Sequence, residues 1–253
     1  MCGVFGFVSS SINRYGPNVD AICDIAQYND AKRGGHAWGV SWIDSQGRLR
    51  SHKQAGRVNP VMLANMVEDA VVLIGHLRFT TQGSELVNAN NHPHPCDGGW
   101  MVHNGVLPEY SEIRDSFSTE PLSDCDSEML AIAWTDAPSD NPTKRAEWML
   151  KTCQPSRYFP LAVLGLWKDR LVAIRQGNPL CVYNNTDGYY LSSLSVPGIK
   201  GIGESKPISD ESVTVWSKGK NGWKRSFSKM EKRVDVTRPV QRQMFQPSKS
   251  LPW

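Results

Sequence analysis

The second residue of the chain is the first with chemistry to offer. Cys2 follows the initiator Met1 directly, and a small side chain in that place invites removal of the methionine. Removal would leave a thiol and a free α-amine on one residue. An α-amine has an ordinary pKa of about 8, so part of it is neutral at pH 7 and can take a proton from the neighbouring thiol, directly or through a water. Gly3 beside it allows close approach of another backbone. A Met-Cys start alone is common and mostly without consequence. Its meaning depends on what the rest of the chain brings to it.

The remaining polar inventory is concentrated. Arg78 to Gly99 is a long stretch rich in Thr, Asn, His, Pro and Gly, of the kind that carries function on a rigid scaffold. Beyond it come His103-Asn104-Gly105 and Asp126-Ser127-Glu128. Each has an ordinary reading. Asn104-Gly105 fits a type I′ turn after a strand, Asp126 a helix N-cap, Arg78 a surface arginine at a strand end, and Phe79 and His92 packing residues.

Taken together these segments resemble the class II glutamine amidotransferase family. Cys2-Gly3-Val4-Phe5-Gly6 is similar to that family's opening. Gly75-His76-Leu77-Arg78-Phe79-Thr80-Thr81-Gln82-Gly83 resembles its Gly-His-x-Arg-[Trp/Tyr]-[Ala/Ser]-Thr-x-Gly segment. Asn91-His92-Pro93-His94, His103-Asn104-Gly105 and Asp126-Ser127-Glu128 follow in the family's order and at comparable spacings. The likeness runs from Cys2 to about Ser193, faintly to Phe227. Its last part rests on Arg175-Gln176-Gly177-Asn178-Pro179-Leu180 and Tyr190-Leu191-Ser192-Ser193.

The resemblance implies an N-terminal-nucleophile hydrolase in which Cys2 attacks the side-chain amide of L-glutamine. Asn104 and the Gly105 N–H would hold the oxyanion. Arg78 would fork onto the substrate α-carboxylate, Thr81 would add a hydroxyl to it, and Asp126 would take the α-ammonium. Phe79 and His92 would line the wall. The implied fold is α+β, a four-layer αββα sandwich. Family members such as glucosamine-6-phosphate synthase and amidophosphoribosyltransferase fuse this domain to a synthase that uses the ammonia. Here the expected acceptor is a separate synthase or ligase. The alternatives are a stand-alone amidohydrolase on another γ-glutamyl or amide substrate, and a non-catalytic partner-binding module. There are departures. Arg33-Gly34-Gly35-His36-Ala37-Trp38-Gly39 lacks the Asp common at this point and is closer to a stand-alone branch, Phe79 replaces Trp or Tyr, and Gln82 replaces a His.

His92, His94, His103 and Cys96 also invite a metal reading. The intervening prolines hold those side chains apart and the segment already has a use, so no metal and no cofactor are expected.

The elements that must position these residues can be read from periodicity. Val4–Ser9 reads as a strand and 18–32 as a helix capped by Asn18. Trp38–Ile43 and Arg48–Lys53 flank Asp44-Ser45-Gln46-Gly47 as a hairpin. A helix over 60–69 and a buried strand over 70–75 follow, then a strand over 100–103 and helices over 126–134 and 144–151. Strands are expected over 161–167, 171–175, 180–183, 189–193, 213–216 and 223–227.

The bulk figures suit a soluble protein: 253 residues, 40% hydrophobic, 21% charged. No apolar run approaches a membrane span and the N-terminus lacks a signal-peptide pattern, so no membrane and a cytoplasmic location are expected. The six cysteines are scattered with no Cys-x-x-Cys pair. Net charge is +3, but from Ser217 onward ten Lys/Arg face two Asp/Glu, leaving −5 on the rest. A solvated basic tail is the expectation, with nucleic acid contact kept as a lesser option. The division is a domain over 1–230 and a basic, irregular tail over 231–253.

Overall fold

The computed structural model describes residues 1–10, 16–114, 117, 119–154, 159–220 and 222–230. The basic tail expected over 231–253 lies outside them. In chain order the elements are β1 (Gly3–Ser9), α1 (Val19–Arg33), β2 (Ala37–Asp44), β3 (Leu49–Ala55), α2 (Pro60–Val67), β4 (Ala70–Arg78), β5 (His94–Cys96) and β6 (Gly99–Gly105). Then come α3 (Tyr110–Arg114), α4 (Glu128–Asp136), α5 (Pro142–Cys153), β7 (Leu161–Trp167), β8 (Arg170–Gln176), β9 (Cys181–Asn184), β10 (Gly188–Ser192), β11 (Lys206–Pro207), β12 (Ser212–Gly219) and β13 (Gly222–Lys229).

Two antiparallel sheets result. One has the order β11-β9-β10-β1-β4-β2-β3, the other β13-β12-β8-β7-β6-β5. The alternation of side chains along a strand decides what each sheet faces. In β1, Phe5 and Phe7 join the apolar cluster of α1 and α2, whereas Val4 and Val8 join a cluster with Val102, Leu164, Leu166 and Ala173 of the opposite sheet. β4 divides likewise: Leu73 and Leu77 face the helices, Val72 and Ile74 the other sheet. Beyond the second sheet, Leu161, Val163 and Ile174 pack against Met129, Leu130, Ala133, Met149 and Leu150 of α4 and α5. The layers are α, β, β, α, as the resemblance implied.

Helix starts follow local chemistry. Asn18 accepts from the Ala21 N–H at 3.1 Å, Asn59 from Met62 at 3.0 Å, and Asn141 from Thr143 and Lys144 at 2.9 and 3.1 Å. Pro60 and Pro142 stand where a missing N–H costs nothing. The β2–β3 turn is fixed by Asp44, which accepts from the Gln46 and Arg48 N–H groups at 3.0 and 2.9 Å and pairs with Arg48 Nε at 2.7 Å. Gly47 closes it at φ +79°, a backbone region that favours glycine.

Two sequence expectations change. β6 continues through Asn104 and Gly105, which pair with Ala162 and Leu161, so these residues form no type I′ turn. The 78–99 stretch is more ordered than a loop: β4 runs to Arg78, Asn88–Asn90 form a 3₁₀ turn, and β5 pairs with β6.

Candidate active site

β1 lies in the interior of its sheet, paired with β4 on one side and β10 on the other. Its register sets Gly3 opposite Leu77 and Val4 opposite His76, which brings Cys2 to the end of β4. There the Phe79 N–H donates to Cys2 Sγ at 3.4 Å, and the thiol lies 3.5 Å from the Phe79 carbonyl it donates to. The start of β1 is further held from β10. The Val4 N–H donates to Ser193 Oγ at 2.9 Å, and the Ser193 N–H returns a bond of 2.9 Å to the Val4 carbonyl. A Cβ on Gly3 would stand 3.0 Å from Asn29 Cβ, so its glycine lets α1 press against the strand that follows Cys2. Asn29 in turn donates to Ser192 Oγ at 2.9 Å.

Burial pushes the Cys2 thiol above its ordinary range. The Phe79 N–H, the terminal ammonium and Arg78 pull it down, and Asp126 pushes it up. A raised thiol needs a base close by. While Met1 is present the Cys2 nitrogen is a peptide N–H and the free amine is that of Met1, which is 71% exposed. Arg33 Nη1 lies 3.8 Å from the Met1 sulfur.

The two sheets are tied at this end by His76, whose Nε2 lies 3.0 Å from the His103 carbonyl and must donate to it. His103 Nδ1 in turn meets Ser127 Oγ at 2.9 Å. Asn104, next on β6, is 1% exposed, and neither its amide nitrogen nor its amide oxygen has a hydrogen-bond partner among the described residues. Its backbone carbonyl accepts from Asn178 Nδ2 at 2.8 Å. At Gly105 a Cβ would fall 2.4 Å from His103 Nε2 and 2.9 Å from the Pro160 carbonyl, so only glycine fits.

Asp126 is buried beneath this strand end. The Leu107 N–H donates to its Oδ2 at 2.7 Å, fixing the chain just after Gly105. The cap of α4 is Ser127, without a side-chain bond, so Asp126 is not an N-cap. Arg78 is also buried. Nη1 donates to Asn91 Oδ1 at 2.9 Å, and Nη2 to the Gly83 carbonyl at 2.9 Å and to that of Gln82. Its guanidinium thus stitches the 79–91 segment in place. Phe79 is 43% exposed and stacks on His36 with centroids 4.7 Å apart. Thr81 is exposed, whereas Thr80 donates its N–H to His36 Nδ1 at 3.0 Å. His92 is buried and stacks on His76 at 3.7 Å. The arrangement brings Cys2, Arg78 and Phe79 to one strand end and Asn104, Gly105 and Asp126 to another.

Three contributors escaped the sequence reading of the site. His36 stands where the family's Asp is missing and holds the Phe79-Thr80 segment beside Cys2. Asn178 anchors the Asn104 peptide, and Asn91 anchors Arg78. The stretches around Asn91 and Asn178 were already part of the resemblance, but nothing in them named these contacts.

No family model matches the chain. It is 30% identical over 232 residues to the glutamine–fructose-6-phosphate aminotransferase (isomerizing) of Francisella tularensis subsp. tularensis, covering 86% of this chain and 36% of that one. The chain spans about a third of the length of the curated relatives it matches. Among solved structures, the glutamine phosphoribosylpyrophosphate amidotransferase from B. subtilis superposes with a TM-score of 0.65 at 17% identity, over 89% of this chain and 49% of that one. A glutamine aminotransferase class-II domain protein from Silicibacter pomeroyi superposes with a TM-score of 0.57 at 13% identity, over 90% of this chain and 99% of its own. The last two comparisons bear on the fold, and the first on the sequence. In sequence the chain is similar to about a third of a glutamine–fructose-6-phosphate aminotransferase, and in architecture it is similar to class II glutamine amidotransferase domains.

Proposed function

We propose that the chain hydrolyses the side-chain amide of L-glutamine, with Cys2 as nucleophile once Met1 is lost. The observation that carries this reading is the side chain of Asn104, a buried amide with no hydrogen-bond partner among the described residues. A donor of that kind is costly to keep, about 1–3 kcal/mol for each unpaired buried group. It is justified where charge develops on a substrate oxygen.

In this reading the α-amine of Cys2 takes the thiol proton as sulfur adds to the glutamine Cδ. The electron pair of the C=O moves to oxygen, held by Asn104 Nδ2 and the Gly105 N–H. The intermediate collapses, the C–N bond breaks, and the ammonium of Cys2 returns the proton to the leaving nitrogen as ammonia. A glutamyl thioester remains. Water, deprotonated by the same amine, adds to it and expels the thiolate, giving glutamate. Asp126 takes the α-ammonium. Arg78 serves the α-carboxylate by partly releasing the 79–91 segment, with Thr81, Phe79 and His92 shaping that side.

The ammonia would pass to a separate synthase or ligase, and a reducing compartment such as the cytoplasm suits six free cysteines. Among the described residues no helix is long and apolar enough to cross a membrane. The test is mass spectrometry of the mature protein after treatment with 6-diazo-5-oxo-norleucine. Loss of Met1 and one adduct on Cys2 are expected. A retained Met1 in active protein, or glutamine hydrolysis surviving Cys2→Ala, would overturn the reading.

A further inference from the structure

Beneath the site lies a group of side chains that take no part in the bond-making steps of the proposed reaction. His92, His94 and Cys125 are all buried, and one ligand atom from each lies within 4.8 Å of the others. The rings of His92 and His94 meet edge to face with centroids 4.6 Å apart. Among the described residues neither nitrogen of His92 has a hydrogen-bond partner, and neither does Nε2 of His94. Two imidazoles 3% and 2% exposed would ordinarily satisfy those atoms. The prolines that were expected to hold the histidines apart do not do so. The membership also differs from the sequence reading: Cys125, on the segment before α4, joins the two histidines, while His103 and Cys96 are not in the group.

We propose that His92, His94 and Cys125 bind a divalent metal ion of borderline softness, Zn2+ by preference, through two imidazole nitrogens and one thiolate. Zn–N distances of about 2.0–2.1 Å and Zn–S of about 2.3 Å put tetrahedral ligand atoms about 3.5 Å apart. Side-chain rotations of roughly an ångström from separations of at most 4.8 Å reach that geometry. The donor set excludes Mg2+ and Ca2+, which take oxygen. A neutral imidazole offers one nitrogen lone pair to an ion. Cys125 supplies a thiol and must lose its proton: the S–H bond breaks, an S–Zn bond forms, and one proton leaves to solvent. The cations nearby are Lys53, which donates to the Asn91 carbonyl at 2.7 Å, and Arg78. Asp126, whose Oδ1 lies 3.8 Å from Cys125 Sγ, and Glu128 set opposite charge against them. Three protein ligands leave a fourth position for water. The ion would tie the segment bearing His92 and His94 to the one bearing Cys125 and Asp126, and so make the pocket's acidic wall responsive to metal.

The test does not depend on activity. Purified full-length protein is stripped with chelator and titrated with Zn2+ alone, then with Co2+. Expected are one ion per chain, a thiolate-to-Co2+ charge-transfer band, and a Zn2+-dependent rise in thermal midpoint. In alkylation mapping, Zn2+ should protect Cys125 and leave Cys2 reactive. Cys125→Ala should weaken Zn2+ binding by more than the roughly 10–100-fold typical of a lost outer partner. Cys2→Ser should leave it unchanged. Absence of Zn2+ binding to the stripped protein, or protection of Cys2 in place of Cys125, would overturn the proposal. Alkylation mapping needs no variant, so a Cys125→Ala chain that fails to fold leaves the outcome decided. Loss of the glutaminase reading would leave these results untouched.

Discussion

Replacing Asn104 by alanine should separate stability from activity. The side chain is buried, with both amide atoms unpaired among the described residues. Removing it takes away unmet desolvation of about 1–3 kcal/mol per group. Against that stands lost packing. Three heavy atoms leave a small cavity, for which about 1–2 kcal/mol is reasonable. The β6 backbone is unaffected, because the Asn104 carbonyl keeps Asn178 and the strand keeps Ala162. Unfolding free energy should therefore stay level or rise by about 1–2 kcal/mol. For a chain of this size that is a gain of up to several degrees, at about 2–4 °C per kcal/mol. Glutamine hydrolysis should behave oppositely. Loss of one oxyanion donor typically lowers kcat by about 10²–10³, with KM little changed, since the donor acts on charge that appears after binding. The assays are glutamate release under saturating glutamine and thermal unfolding of the same preparation. A variant destabilised by more than about 2 kcal/mol, or one with kcat within about threefold of the parent, would refute the argument. The first result would make Asn104 a packing residue, and the second would remove it from the oxyanion site.

Gly105→Ala should be inactive and destabilised by about 1–3 kcal/mol, because the new methyl meets His103 Nε2 and the Pro160 carbonyl; urea unfolding measures the cost. Asn178→Ala should lower kcat about tenfold while glutamine-analogue affinity holds, through loosening of the Asn104 peptide. Steady-state kinetics with an equilibrium binding assay divides the two. Asp44→Asn should cost about 1–2 kcal/mol by weakening the bonds that close the β2–β3 turn. The folded Asp44 pKa is depressed, chiefly by bonds from Arg48 and Gln46 set against burial. Its contribution is therefore complete above the unfolded value, near 4, and is lost as pH falls through the folded one. The gap between parent and Asp44→Asn in urea unfolding should close on acidification.

The parts legible in the sequence were those that local physics dictates. The apolar runs over 161–167 and 70–75 are strands because a two-sided sheet core wants them. Asn18 caps a helix because its amide reaches Ala21. The motif residues Cys2, Arg78, Asn104, Gly105 and Asp126 were named from order and spacing, and the fold gathers them at adjoining strand ends. What escaped was set across the chain. Asn104-Gly105 reads as a turn in any local window, and only pairing with Ala162 and Leu161 keeps it extended. The contact of His36 with Thr80 and that of Asn178 with Asn104 join segments whose composition gives no hint of each other. Cys125 looked like one more buried thiol until the fold set it beside His92 and His94.

The placement of β1 has a consequence for the time order of folding. Its partner β10 pairs Ser192 with Phe5, so nearly two hundred residues separate these two neighbouring strands. Contacts of that span form late, after local helices and hairpins. Synthesis therefore yields the reactive thiol first and its lateral support near the end. Until the Gly188–Ser193 segment emerges, Cys2 has neither the Ser193 anchor nor a closed sheet around it. A nascent or truncated chain would hold an ordinary, oxidisable cysteine, and the surroundings of Cys2 would be completed late.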